Sequence, residues 1–253
     1  VANQTSPAIT GVYVTEPSCN GVCNGTASVD ATGGTGALQY TIGSGYQAAN
    51  VFNAICAGTY DIVVMDANGC TDTAITIIAE PTLLTFNSIS NNLSCNQNSS
   101  GSIQTAPSGG TIPYQYSYDN GVTYTASSSL QFIPAGTYDL VVIDGNGCTA
   151  NGQEIVTEPT ALTVSTAVTD AICNGNCDGT AQVTAGGGTP GAGYTYNWSP
   201  NAINTAADQA TALCAGDYWI TVIDQNGCQI TDSFSIAQPA LFEVTSVTTT
   251  EPT

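Results

Sequence analysis

The chain has 253 residues, with 19 Asp and Glu and no Lys, Arg or His, which gives a formal net charge of −19. No side-chain salt bridge can form, and lysine-dependent isopeptide cross-links are excluded. The chain also has no basic groups to grip nucleic-acid phosphates or an anionic membrane surface, and no imidazole base, Schiff-base lysine or arginine clamp for catalysis.

Along the chain one phrase is said three times. Ala57-Gly58-Thr59-Tyr60-Asp61-Ile62-Val63-Val64-Met65-Asp66-Ala67-Asn68-Gly69-Cys70 returns at 135–148 and, more loosely, at 215–228. A period of roughly 75 to 80 residues is too long for a solenoid unit and fits a small domain, so a tandem array is expected. Pro7, Pro81, Pro159 and Pro239 mark the repeats as stiff junctions. They divide the chain into 1–6 as the tail of a preceding module, modules at 7–80, 81–158 and 159–238, and 239–253 as the first strand of a fourth. Thr250-Glu251-Pro252-Thr253 copies Thr15-Glu16-Pro17-Ser18, so both ends read as cuts inside a longer array. No starting Met, signal peptide or membrane-spanning apolar run is present, and targeting signals are expected elsewhere in a parent chain.

Within a module the pattern is β throughout. Gly25 to Ala31 alternates small apolar and polar residues and runs into the Gly33-Gly34 turn. An aromatic strand follows, Leu38 to Ile42, Tyr114 to Tyr118 or Tyr194 to Trp198. In the second module Asp119-Asn120-Gly121 predicts a hairpin into Val122-Thr123-Tyr124. Tyr60, Ile62 and Val64 then alternate with Asp61 and Val63, and Ala74 to Ile78 closes the module. About seven short strands predict an all-β fold of tandem immunoglobulin-like β-sandwich modules, disulfide-stapled and arranged end to end. The Ala-Gly-x-Tyr step at Tyr60, Tyr138 and Tyr218 is similar to the tyrosine corner of that class.

Cysteines are the expected staples, because modules this small bury little apolar surface. The first and third modules carry four each (Cys19, Cys23, Cys56, Cys70; Cys173, Cys177, Cys214, Cys228), the second only Cys95 and Cys148. Ser99 and Pro134 stand where the second and third cysteines would be. Their joint loss favours outer-with-outer and inner-with-inner pairing: Cys19–Cys70, Cys23–Cys56, Cys95–Cys148, Cys173–Cys228 and Cys177–Cys214. One tension remains. A standard sandwich puts the start of its second strand and its last turn at opposite ends, which separates Cys19 from Cys70. Zinc is disfavoured, since the second module lacks half the ligands and no His exists. The disulfides imply an extracellular location.

Asp66-Ala67-Asn68-Gly69, Asp144-Gly145-Asn146-Gly147 and Asp224-Gln225-Asn226-Gly227 read as hairpin turns in which Asn-Gly supplies positive φ and Asp accepts backbone N–H groups. They are not EF-hands, because the glycine and the twelfth residue are wrong. The alternative is calcium, with Asp66, Asn68, Asp144, Asn146, Asp224 and Asn226 as ligands alongside Glu80 or Glu158. No other cofactor is expected. For binding, Trp219, Tyr46 and Tyr124 are the aromatics that could grip a glycan. Trp219 stands where the other modules place Asp61 and Asp139.

Cys-Asn-Gly at 19–21 and 173–175, the Gly-Gly-Thr turns, the Tyr-rich strand, Asp-x-Asn-Gly-Cys and the terminal Glu-Pro together form a pattern. In it the chain resembles the SprB-type repeat of Bacteroidetes cell-surface adhesins. The resemblance implies long surface filaments serving gliding motility and adhesion, exported by type IX secretion. Partners would be neighbouring repeats, outer-membrane secretion and motility machinery, and polysaccharide or solid surfaces. It also brings Asp72-Thr73-Ala74 into view as an O-glycosylation sequon at Thr73, while Asn24, Asn98 and Asn197 read as polar turns. The expectation is a non-enzymatic, rigid spacer segment of a cell-surface adhesin. The alternative is a carbohydrate- or surface-binding module.

Overall fold

The structure, a computed structural model, describes residues 5–43 and 45–249. Nineteen strands and no helix are formed among them. The first set is β1 (Ala8–Thr15), β2 (Gly25–Thr32), β3 (Gln39–Thr41), β4 (Val51–Ile55), β5 (Gly58–Met65) and β6 (Thr71–Ile78). The second is β7 (Thr85–Asn91), β8 (Gly101–Ser108), β9 (Gln115–Ser117), β10 (Ser129–Ile133), β11 (Gly136–Ile143) and β12 (Thr149–Val156). The third is β13 (Thr163–Thr169), β14 (Gly179–Gly186), β15 (Thr195–Trp198), β16 (Asn204–Ala206), β17 (Gln209–Leu213), β18 (Gly216–Ile223) and β19 (Gln229–Ile236).

Each set makes two sheets. In the first the orders are β1-β2-β4 and β3-β5-β6, and the second repeats this as β7-β8-β10 and β9-β11-β12. The third adds an edge strand, giving β13-β14-β17-β16 and β15-β18-β19. Lettered A to G in chain order, that is ABED against CFG, the strand order of a constant-type immunoglobulin sandwich. The all-β, immunoglobulin-like sandwich class read from the sequence therefore holds.

The period-two pattern produces the core. Ala27 and Val29 on β2 face Ile62 and Val64 on β5, with Tyr40, Phe52, Ile55 and Ile78 closing the cluster. Asp61 and Val63 point the other way. In the third set Val183, Ile220 and Val222 occupy the matching places. The hairpin expected at 122–124 is shorter than a strand pair: the sheet contact there is one bridge, Tyr116 to Thr125, matched by Tyr40 to Gln47 in the first set. Asp119 explains the tight turn, since its carboxylate accepts from Ser117 Oγ, Thr123 Oγ1 and the N–H groups of Val122 and Thr123.

The register fixes where each end of a set lies. Thr15 is opposite Thr26 and Gly25 is opposite Ile55, so β1 ends, β2 begins and β4 ends together. Ala8 is opposite Thr32 at the far end, where β5 also passes into β6, Met65 opposite Thr71. Eight residues of strand hold these two ends about 25 Å apart.

Prolines did not mark the first repeat correctly. The N–H of Gly34 donates to Thr5 O (2.9 Å), as Gly110 does to Thr82 O (2.8 Å) and Gly188 to Thr160 O (2.9 Å). Thr5 is thus the counterpart of Thr82 and Thr160, and Pro7 matches Leu84 and Leu162 rather than Pro81 and Pro159. Residues 5 and 6 pack with the first repeat; residues 1–4, like the Thr250–Thr253 copy, lie outside the described residues. Residues 237–249 form no strand.

By contacts the chain forms two compact units. One comprises Val1–Ile89, Ile103–Leu130 and Thr137–Glu154, and the other Ser90–Ser102, Gln131–Gly136 and Ile155–Thr253. The first contains the first strand set and most of the second. The other contains the third set and the remaining end of the second.

Candidate functional site at the cysteine joints

The inner cysteines close within one repeat, Cys23 to Cys56 and Cys177 to Cys214. The sheet register explains both. Gly25 lies opposite Ile55, and Gly179 lies opposite Leu213, so the cysteines just beyond those pairs meet at one end of the sandwich.

The outer cysteines pair otherwise than the sequence argument expected. Cys19–Cys70, Cys95–Cys148 and Cys173–Cys228 are not formed. Cys19 is bonded to Cys148 and Cys95 to Cys228, each with Cα atoms 5.7 Å apart, while Cys70 and Cys173 are free and exposed. The reason is distance. Cys19 lies at the end where β2 begins and Cys70 at the end where β6 begins, and a disulfide cannot bridge Cα atoms more than about 7 Å apart. Each outer bond therefore joins the first cysteine of one repeat to the last cysteine of the next, and each lies inside one of the two compact units.

Both halves of the joint are built from local hydrogen bonds. The first half is a knuckle. In the loop from Ser18 to Asn24, the Ser18 N–H donates to Asn24 Oδ1 (2.9 Å), Asn20 Nδ2 donates to Pro81 O (3.1 Å), and the Gly21 N–H donates to Glu80 Oε2 (2.7 Å). In the second repeat Ser94 N–H donates to Ser100 Oγ (2.8 Å), Asn96 Nδ2 to Pro159 O (3.0 Å) and Gln97 N–H to Glu158 Oε2 (2.6 Å). Glu80 and Glu158 are thereby committed to the knuckles.

The second half is the Asp-x-Asn-Gly-Cys turn. Asp144 Oδ1 accepts the N–H groups of Asn146 and Cys148, both at 2.9 Å, and Oδ2 accepts Thr111 N–H at 2.8 Å. Asp224 does the same with Asn226, Cys228 and Thr189, and Asp66 with Asn68, Cys70 and Thr35. All three aspartates are buried. Each carboxylate thus accepts three backbone N–H groups. At Asp66 the Thr35 N–H, with those of Cys70, Asn68 and Gly69, holds the carboxyl below its ordinary range against the desolvation that raises it. Glycine is required beside these carboxylates: at Gly188, with φ +59°, a Cβ would fall 2.6 Å from Asp224 Oδ2.

Where the halves meet, Asn146 Nδ2 donates to Ser18 O (3.0 Å) and Asn226 Nδ2 to Ser94 O (2.9 Å). Asn146 and Asn226, named as calcium ligands, thus serve as latches. Sequence reasoning missed that role, although the fixed Asn-Gly-Cys spacing carried the signal. Among the described residues no group of three or more Cys, Asp or Glu side chains is placed to hold a metal ion.

The aromatics do not form one platform. Tyr46 and Tyr124 occupy equivalent loop places beside the Gln47 and Thr125 bridges, both exposed. Trp219 lies on β18 opposite Ser233, 42% exposed, beside a shallow depression lined by Asp217, Tyr218 and Phe234. As the tyrosine-corner reading expects, Tyr60 OH donates to Cys56 O and Tyr218 OH to Cys214 O, each at 3.0 Å. Thr73 is exposed on β6 opposite Val63.

Residues 87–123 and 165–203 match the family described as SprB repeat. The matched stretches include Cys95, Cys173 and Cys177 and stop short of the Asp-x-Asn-Gly-Cys turns. No curated protein matches the chain. Among solved structures the chain is similar to the N-terminal eight Ig domains of Down Syndrome Cell Adhesion Molecule isoform 1.30.30. There the TM-score is 0.39 and identity 10%, over 94% of this chain and 37% of that one. It is also similar to surface layer protein SbsC, domains 1–6, with TM-score 0.28 and identity 15% over 95% of this chain and 42% of that one. The chain thus spans well under half of each, and the fold assignment rests on strand order instead.

Proposed function

We propose that two SprB-type repeats and a third built on the same plan make this chain a structural segment of a long cell-surface adhesin, serving surface adhesion and gliding motility. The observation that carries this is the recurrence of one cross-repeat disulfide joint, Cys19–Cys148 and then Cys95–Cys228. A covalent tie between successive repeats keeps load on covalent bonds when a repeat opens, which suits a spacer. Disulfide use supports an extracellular place, and type IX export follows from the family resemblance. The chain acts through position and length rather than chemistry on a substrate. Its partners on this reading are neighbouring repeats, the secretion and motility machinery, and the surface gripped elsewhere on the adhesin.

The test is binding. The purified chain should pass unretained over polysaccharide surfaces and a glycan array, and antibodies against it should label intact cells. Retention abolished by Trp219→Ala or by Tyr46→Ala with Tyr124→Ala would replace the spacer with the carbohydrate-binding alternative. Labelling only after lysis would remove the surface assignment.

A further inference from the structure

Each formed joint takes the first cysteine of one repeat and the last cysteine of the next. Three repeats with two joints leave one cysteine of each kind, Cys173 as a first cysteine and Cys70 as a last one. Both are free and exposed. Exposure alone would make them two lone thiols. Their settings say more.

The knuckle around Cys173 is already folded as the two bonded knuckles are. Ile172 N–H donates to Asp178 Oδ1 (3.0 Å), Asn174 Nδ2 to Pro239 O (2.9 Å) and Gly175 N–H to Gln238 Oε1 (2.8 Å). These are the counterparts of the Ser18, Asn20 and Gly21 bonds. The turn around Cys70 is likewise the bonded turn: Cys70 N–H donates to Asp66 Oδ1 (2.9 Å), as Cys148 does to Asp144 and Cys228 to Asp224. Beside it lies an open depression lined by Leu38, Gln39, Met65 and Asn68. Two preformed, complementary halves of a joint that the same chain closes twice are therefore present and unjoined.

We propose that Cys173 of one copy of this chain bonds to Cys70 of a second copy, reproducing the Cys19–Cys148 joint between molecules. The contact is head-to-tail, so it does not close on itself and propagates into a linear polymer. The reaction needs a disulfide oxidant such as oxidised glutathione. The Cys173 thiolate displaces one glutathione thiolate to give a mixed disulfide, and the second copy's Cys70 thiolate displaces the other. One protein S–S bond forms and two glutathione thiols leave. Within a longer array the same bond would form between successive repeats, faster because the partner is tethered. The inference deepens the reading of the chain as a repeat segment.

The experiment uses the full chain and two variants, Cys70→Ser and Cys173→Ser, in a glutathione redox buffer at physiological salt. Expected is a ladder of multiples from the unsubstituted chain on a non-reducing gel, and a dimer from the two variants mixed. Each variant alone stays monomeric. The peptide map of the ladder should show Cys173 joined to Cys70. Raising salt should speed linking, because the two copies repel. Equal dimerisation of each variant alone would overturn the proposal as random thiol oxidation, as would a mixture that stays monomeric. Mapping of the unsubstituted ladder decides even where a variant folds poorly, and a bond other than Cys173–Cys70 there contradicts it. A chain that links but also holds glycan would retire the spacer reading and leave the joint standing.

Discussion

Cys19 and Cys148 are 129 positions apart in sequence and 5.7 Å apart between Cα atoms. The bond runs from the knuckle of the first repeat to the turn of the second, and Ser18 O receives the Asn146 latch beside it. Cys23–Cys56, by contrast, closes a separation of 33 within one repeat.

That difference predicts unequal costs. Loop-closure entropy assigns about 5 kcal/mol to the longer cross-link and about 4 to the shorter, as upper values. Cys19→Ser with Cys148→Ser should therefore destabilise the chain at least as much as Cys23→Ser with Cys56→Ser in guanidinium unfolding. A negligible effect of the cross-repeat pair alone would contradict the joint as a stabiliser.

The strand plan, the fold class and the Asp-x-Asn-Gly turn were legible in the sequence because each rests on local periodicity or on turn chemistry. The outer disulfides were not. The joint loss of Cys23 and Cys56 counterparts at Ser99 and Pro134 does point to an inner pair. It says nothing about whether Cys95 and Cys148 bond to each other or to different neighbours, since neither case leaves a stray thiol in the second repeat. The opposite ends of Cys19 and Cys70 in a standard sandwich carried the right answer. Pro7 misled for a related reason: what fixes the first repeat's edge is the Thr5 carbonyl, a backbone group with no sequence signature.

Acid should act in two directions. Asp119 is lowered to about 2 by hydrogen bonds from the Ser117 and Thr123 side chains and the Thr123 N–H, and Asp66 is lowered by its backbone donors. A depressed folded value means that the stabilisation is fully present above the unfolded value near 4 and lost as pH falls through the folded one. Relief of repulsion among 19 carboxylates opposes this. Melting temperature should rise slightly from pH 7 to about 4.5 and fall below about 4, and Asp119→Asn should flatten the fall. A monotonic rise down to pH 2 would contradict the turn-stapling role.

Calcium and sodium at matched ionic strength should raise the melting temperature equally, because Asp66, Asp144 and Asp224 each spend their oxygens on three backbone N–H groups. A larger shift with millimolar calcium, reversed by a chelator, would restore these turns as a cation site.

Gly188→Ala should cost about 2 kcal/mol or more, combining a left-handed backbone with a methyl group driven against Asp224. The urea midpoint of the variant reads it. An unchanged midpoint would mean that the turn relaxes without loss.

The most direct measurement is mass spectrometry of non-reduced peptides, cut by proteases that need no basic residue. The account predicts Cys19 linked to Cys148, Cys95 to Cys228, Cys23 to Cys56 and Cys177 to Cys214, with Cys70 and Cys173 taking a thiol label in freshly purified monomer. Recovery of Cys19 linked to Cys70, or of Cys95 linked to Cys148, would contradict the cross-repeat joint.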